Sequence, residues 1–186
     1  MEPMTDTPPG PPTLPSVLAV LDRAATFEEP NEEIVGLTVL HHGLQCAWHL
    51  RRSDPDDLEL QVAGLLHDVG HLLVPGDEAG HGHVGAELVR PVFGDRVAGA
   101  IEGHVPAKRY LVTVDDDYRR LLSEGSVRTL AAQGGTMAPG EVDRFRRSEH
   151  FDAALRLRRA DEAAKDPRAT PAPLADWMPV LEALSR

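Results

Sequence analysis

The stretch GLLHDVGHLL, residues 64–73, sets His67, Asp68 and His71 inside an otherwise apolar run. Burying such groups without partners is costly, so any fold that keeps this run inside must satisfy all three from within. His67 and His71 are four residues apart and share one helical face, while Asp68 points roughly 100° away. Neutral imidazole and carboxylate together suit divalent transition metals, and a carboxylate with two oxygens can bridge two ions. The stretch therefore demands further donors from elsewhere in the chain.

The 186-residue chain, 41% hydrophobic, is long enough for one core, and a single helical domain over residues 16–186 is expected. Residues 1–15 are rich in Pro, Thr and Gly and read as a flexible tail. The single Cys46 leaves no internal disulfide, and the opening residues lack the basic-then-apolar pattern of a signal peptide. No apolar run reaches the roughly 18 to 20 residues that span a bilayer, so a cytoplasmic protein with no membrane partner is expected. A formal charge of −11 and 4% aromatic residues disfavour nucleic acid. They leave room for a small anionic ligand, because local cations outweigh distant charge screened over about 10 Å.

Apolar periodicity predicts an all-α fold. A first helix opens at Ser16, and a second is expected from Ile34 to the Arg51, Arg52 pair. Asp54 and Pro55 read as the start of a third helix that runs to about Gly70, followed by a Pro75–Gly82 loop. Further helices are expected over 83–92 and 95–104, with Pro106 forcing a break before 108–112. Short helices over 117–122 and 126–132 precede one long helix, 141–164, and a last one over 177–184.

Donors recur in order along these elements: His42 before the quoted stretch, His83 and His104 after it, and Asp161 near the C-terminus. His81, two residues before His83, is the rival for that position. The segments HHGLQCA, AGLLHDVGHLL, HVGAELVRPVFG, HVPAKRYL, SVRTLAAQGG and HFDAALRLRRADEAAK resemble the HD-domain mixed-valence di-iron oxygenases that cleave organophosphonates. The resemblance implies a helical bundle around a dinuclear site. One iron would be held by His42, His67, Asp68 and Asp161, the other by Asp68, His83 and His104, with Asp68 bridging. It implies a mixed-valence Fe(II)/Fe(III) pair, O2 as co-substrate, and a 1-hydroxyalkylphosphonate cleaved to phosphate and a carboxylic acid. Positions matching the family's substrate contacts are His71, Lys108, Ser126, Arg158 and Gln133, with His71 and Lys108 at the reacting end.

The family places a Tyr and a Glu shortly before its first His ligand. Here that stretch reads PNEEIVGL, with no Tyr, and Glu32 and Glu33 are the candidates to face the substrate. Two other functions fit the superfamily: a metal-dependent phosphohydrolase, and an HD-fold binding module without activity.

Overall fold

The computed structural model describes residues 10–30 and 34–186. Most of the expected tail, residues 1–9, and the expected substrate contacts Glu32 and Glu33 lie outside the described residues. Among the described residues the fold is all-α, as expected, with one isolated antiparallel bridge between Glu28 and Thr38.

Helix α1 (Leu14–Ala24) begins inside the stretch read as tail. The Thr13 N–H donates to Ser16 Oγ, Pro15 is tolerated in the first turn, and Val17, Val20, Leu21 and Ala24 form the buried stripe. Helix α2 (Val39–Ser53) starts five residues later than expected. Gly36, at φ +86°, turns the chain, and the Thr38 hydroxyl caps the helix by accepting from the His41 N–H. Helix α3 (Leu58–Leu66) is capped by Asp57, not Asp54; Asp54 instead ends α2. It also stops short of Gly70, giving way at His67 to a 3₁₀ turn over Val69–Leu72.

Helix α4 (His81–Phe93) opens two residues earlier than predicted and α5 (Asp95–Val114) runs through Pro106 without a break. An internal Pro costs about 3 kcal/mol in an unsupported helix. Here α5 is packed by α3, α4 and α9, and burial of Val97, Ile101, Val105 and Leu111 offsets that cost. Two short helices, α6 (Asp116–Leu121) and α7 (Glu124–Ala132), lead to α8 (Pro139–Arg146) and α9 (Phe151–Ala163). The single helix expected over 141–164 is thus two. Phe145 and Phe151 would lie about 120° apart on one helix. The break lets both rings meet Tyr110, at centroid separations of 5.6 and 5.2 Å. Helix α10 (Leu174–Leu184) closes the main core with Trp177 and Leu181.

Two glycines set how closely the central helices approach one another. A Cβ at Gly43 would stand 2.4 Å from the Leu65 carbonyl oxygen, so only glycine lets α2 press against the end of α3. A Cβ at Gly70 would stand 1.9 Å from the His81 carbonyl oxygen, so the 3₁₀ turn meets the start of α4 on the same terms. Gly43→Ala must push α2 away from α3. We expect a loss of about 1–3 kcal/mol in urea unfolding; an unchanged midpoint would contradict so close an approach.

Candidate metal centre

Five elements send donors to one buried point. His42 comes from α2, His67 and Asp68 from the end of α3, His81 from the first turn of α4, His104 from α5 and Asp161 from α9. All are buried. Asp68 lies between two groups. Its Oδ2 is 3.1 Å from His67 Nε2 and 3.4 Å from His42 Nε2, while its Oδ1 is 3.5 Å from His81 Nε2 and 3.6 Å from His104 Nε2. Asp161 Oδ1 closes the first group, 3.2 Å from His42 Nε2 and 3.8 Å from His67 Nε2.

The imidazoles are held in one tautomer. Nδ1 of His42, His67, His81 and His104 lies 2.6 to 3.0 Å from the carbonyl oxygens of Ala164, Gly64, Glu78 and Ile101 respectively. A carbonyl can only accept, so Nδ1 carries the proton and each neutral ring presents its Nε2 lone pair to the interior. His81 and His104 then point two lone pairs at each other across 2.9 Å. That arrangement needs a proton or a metal ion between them. Burial, reinforced by His81, pushes His104 down to about 3, so a proton is disfavoured there. The donor set, imidazole nitrogen and carboxylate oxygen on each side of Asp68, fits first-row transition ions.

Burial alone would depress His42 and His67, but the carboxylates of Asp161 and Asp68 outweigh it and hold both imidazoles well above their ordinary range. Burial also opposes the charge on Asp68 and Asp161. Neighbouring imidazoles and, for Asp161, the Arg158 guanidinium overcome it and hold both carboxyls well below the usual carboxylate range. This half of the cluster is already organised around positive charge.

The structure does not bring His83 to this point. Its side chain is 64% exposed and pairs with Glu102 at 3.0 Å. Two residues turn a helix by about 200°, so when α4 starts at His81 and aims it inward, His83 faces solvent. His81, the rival in the sequence, takes the inward place. His71 is buried and stacks on His81 at a centroid distance of 3.9 Å, and burial pushes it down to about 4. Sequence reasoning missed Glu29, which the Glu28–Thr38 bridge carries to the same cluster: its carboxylate lies with ligand atoms of His42 and Asp68 within 4.8 Å of one another.

A narrow cavity of about 30 Å³ adjoins the second group. Lys108, Ser126, Gln133 and Arg158 all reach it, together with Thr129 and Lys165. Lys108 is buried and donates to the neutral Thr129 hydroxyl; burial, aided by Arg158, lowers it to about 7. Arg158 is fixed from several sides. Its Nε donates to the Tyr118 hydroxyl at 2.6 Å, and its terminal nitrogens reach Asp161, Glu162 and Ser126. Ser123, rather than Ser126, caps α7, which leaves the Ser126 hydroxyl on the cavity, where it donates to Glu162 at 2.8 Å.

The two histidines of α4 give a direct test of this placement. His81→Ala should weaken uptake of one of two metal ions by about tenfold or more, read by metal analysis after dialysis against a chelator, whereas His83→Ala retains both. Loss of metal from the His83 variant alone would contradict the assignment.

Comparison with known proteins agrees with this architecture. A profile described as HD domain matches residues 35–177. A hydroxymethylphosphonate dioxygenase from Gimesia maris is 39% identical over 138 residues, covering 69% of this chain and 68% of its own. A [1-hydroxy-2-(trimethylamino)ethyl]phosphonate dioxygenase (glycine-betaine-forming) from Leisingera caerulea is 32% identical over 145 residues, covering 73% and 74%. The chain belongs to the HD-domain family.

Proposed function

We propose that the chain is an O2-dependent oxygenase with a di-iron centre that cleaves the carbon–phosphorus bond of a compact 1-hydroxyalkylphosphonate. The observation that carries this reading is the pair of buried cations, Lys108 and Arg158, on the cavity beside the His/Asp cluster. Arg158 is already paired with Asp161 and Glu162, but among the described residues Lys108 donates only to the Thr129 hydroxyl, and a bound molecule with anionic oxygens would supply its counter-charge. A phosphonate does so. Its oxygens suit the planar guanidinium of Arg158, the ammonium of Lys108 and the Ser126 hydroxyl. The names of the two relatives supply the chemical class.

His42, His67, Asp68 and Asp161 would hold one iron, and Asp68, His81 and His104 the other. Bound there, the pair supplies O2 reduction and oxidation of carbon, which no protein side chain offers. Everything else falls to the chain. Tyr118, Asp161 and Glu162 orient Arg158 before substrate arrives, so little ordering is left for binding. His71, neutral above its lowered pKa of about 4, offers a hydrogen bond without adding charge. Gln133 donates its amide to the Glu78 carbonyl, and its buried Oε1 has no hydrogen-bond partner, which leaves an acceptor for the substrate hydroxyl.

The chemistry of the lining bears on the choice of substrate. Among the described residues no Phe, Tyr or Trp borders the cavity. A quaternary ammonium would find no aromatic cage there, which favours the compact hydroxymethyl compound over the trimethylammonium one.

The test is iron-loaded protein with hydroxymethylphosphonate in an oxygen electrode. Hydroxymethylphosphonate plus one O2 balances formate plus phosphate, so equal amounts of O2 consumed and phosphate released are expected. Phosphate released from phosphoesters without O2 would make the protein a phosphohydrolase, and no turnover of either kind would leave a binding module.

Lys108 gives a second, independent expectation. An anion beside its amine favours the charged form, so binding raises a pKa that stands at about 7 in the free protein. Above pH 7 substrate binding should therefore take up protons, seen as a calorimetric heat that depends on the ionisation enthalpy of the buffer. Lys108→Met should abolish that dependence and lower kcat/KM by roughly 10- to 100-fold, the loss of one charge-assisted hydrogen bond. Binding with no proton uptake would place the phosphonate elsewhere.

A further inference from the structure

We propose that Glu29 is itself a metal ligand, adding a third carboxylate to the ion held by His42, His67, Asp68 and Asp161. The inference rests on the reading of the His/Asp cluster as a metal centre and adds a ligand beyond the six donors of that reading. It starts from placement. Glu29 lies in the connection between α1 and α2, where its N–H donates to the Leu37 carbonyl at 2.8 Å and the Val39 N–H donates to the Phe27 carbonyl at 2.9 Å. These two bonds fold the connection back on the start of α2 and fix Glu29 beside the turn that carries His42. Glu29 is left only 6% exposed.

A carboxylate in that position needs a partner. Its Oε2 is buried and has no hydrogen bond. The charged groups acting on it are Asp68, His42, His67 and Asp161, all of them donors of the cluster. Asp68 and Asp161 repel it, His42 and His67 attract it without a hydrogen bond to Oε2, and burial removes water as a substitute. Among the described residues no Lys or Arg forms an ion pair with it. A cation among Glu29, His42 and Asp68, whose ligand atoms lie within 4.8 Å of one another, satisfies the orphaned oxygen and turns the repulsion between carboxylates into shared attraction. Carboxylate oxygen beside imidazole nitrogen suits a first-row transition ion.

Sequence alone directs attention three residues further, to Glu32 and Glu33. Those two lie outside the described residues; among the described residues of this connection, Glu29 reaches the cluster, where the bridge between Glu28 and Thr38 sets the register.

The rival explanation is a buried neutral carboxylic acid that only fills space. Glu29→Gln separates the two, since the amide keeps the shape of the neutral acid and removes the anionic oxygen. Metal-free wild type and variant are titrated with Co(II), following binding heat and the visible absorption that reports coordination number. We expect wild type to bind two ions, and Glu29→Gln to bind one of them about tenfold or more weakly with altered absorption bands. Identical affinity and superimposable spectra would overturn the assignment. Circular dichroism of the metal-free proteins checks folding, and should the Gln variant not fold, Glu29→Asp carries the same comparison, because it keeps the charge and withdraws it by one methylene. The outcomes distinguish this proposal from the one beneath it. A wild-type chain that binds one ion, weakened by Glu29→Gln, overturns the metal pair and keeps Glu29 as a ligand; two ions indifferent to Glu29→Gln do the reverse.

Discussion

Asp68 is shared between two sets of imidazoles, and the fold is arranged to make that sharing possible. Its two oxygens face opposite ways, one toward His42 and His67, the other toward His81 and His104. A carboxylate buried this deeply needs positive charge or hydrogen-bond donors beside it. In the free chain His42 and His67 can supply that charge on one side as imidazolium ions. On the other, where His104 resists protonation, a metal ion is the remaining candidate. The two halves of the cluster are thus electrostatically unlike before any ion binds.

The helices contribute in two ways. The backbone carbonyls of Gly64, Glu78, Ile101 and Ala164 take the Nδ1 protons of His67, His81, His104 and His42, so that each of these four rings, when neutral, presents Nε2. Glycine supplies the close approaches. Without Gly43 and Gly70 the α2–α3 contact and the contact of the 3₁₀ turn with α4 would open, and the donors from these elements would move apart. Beside this rigid centre lies a softer one, the cationic cavity, in which Arg158 and Lys165 meet Glu162 and Ser126 while Lys108 has only a hydroxyl. Among the described residues that line the cavity, Lys108 is the cation for which no carboxylate partner is seen.

Much of this is legible in the residues. Periodicity gives the all-α class, and the spacing within GLLHDVGHLL, with donors recurring at His42, His104 and Asp161, points to a metal site. The departures share a cause, which is that local signals carry no trace of the packing that overrules them. Pro106 signals a break, but α3, α4 and α9 hold α5 straight through it. Asp54 and Pro55 look like a helix start, but Asp57 makes the cap. His81 and His83 are indistinguishable by composition, and only the first residue of α4 decides which turns inward. Glu29 carries one faint signal, an acidic residue in a Phe-Glu-Glu-Pro stretch that breaks a helix. What brings it to the cluster is the Glu28–Thr38 bridge across the connection, which no local pattern encodes.

The central claim is that one carboxylate lies between two metal ions. Anomalous diffraction at the iron absorption edge, on crystals of protein produced with iron, tests it most directly. The account predicts two peaks, one flanked by His42, His67 and Asp161, the other by His81 and His104, with Asp68 between them. A single peak, or a second peak beside the exposed His83, would contradict it.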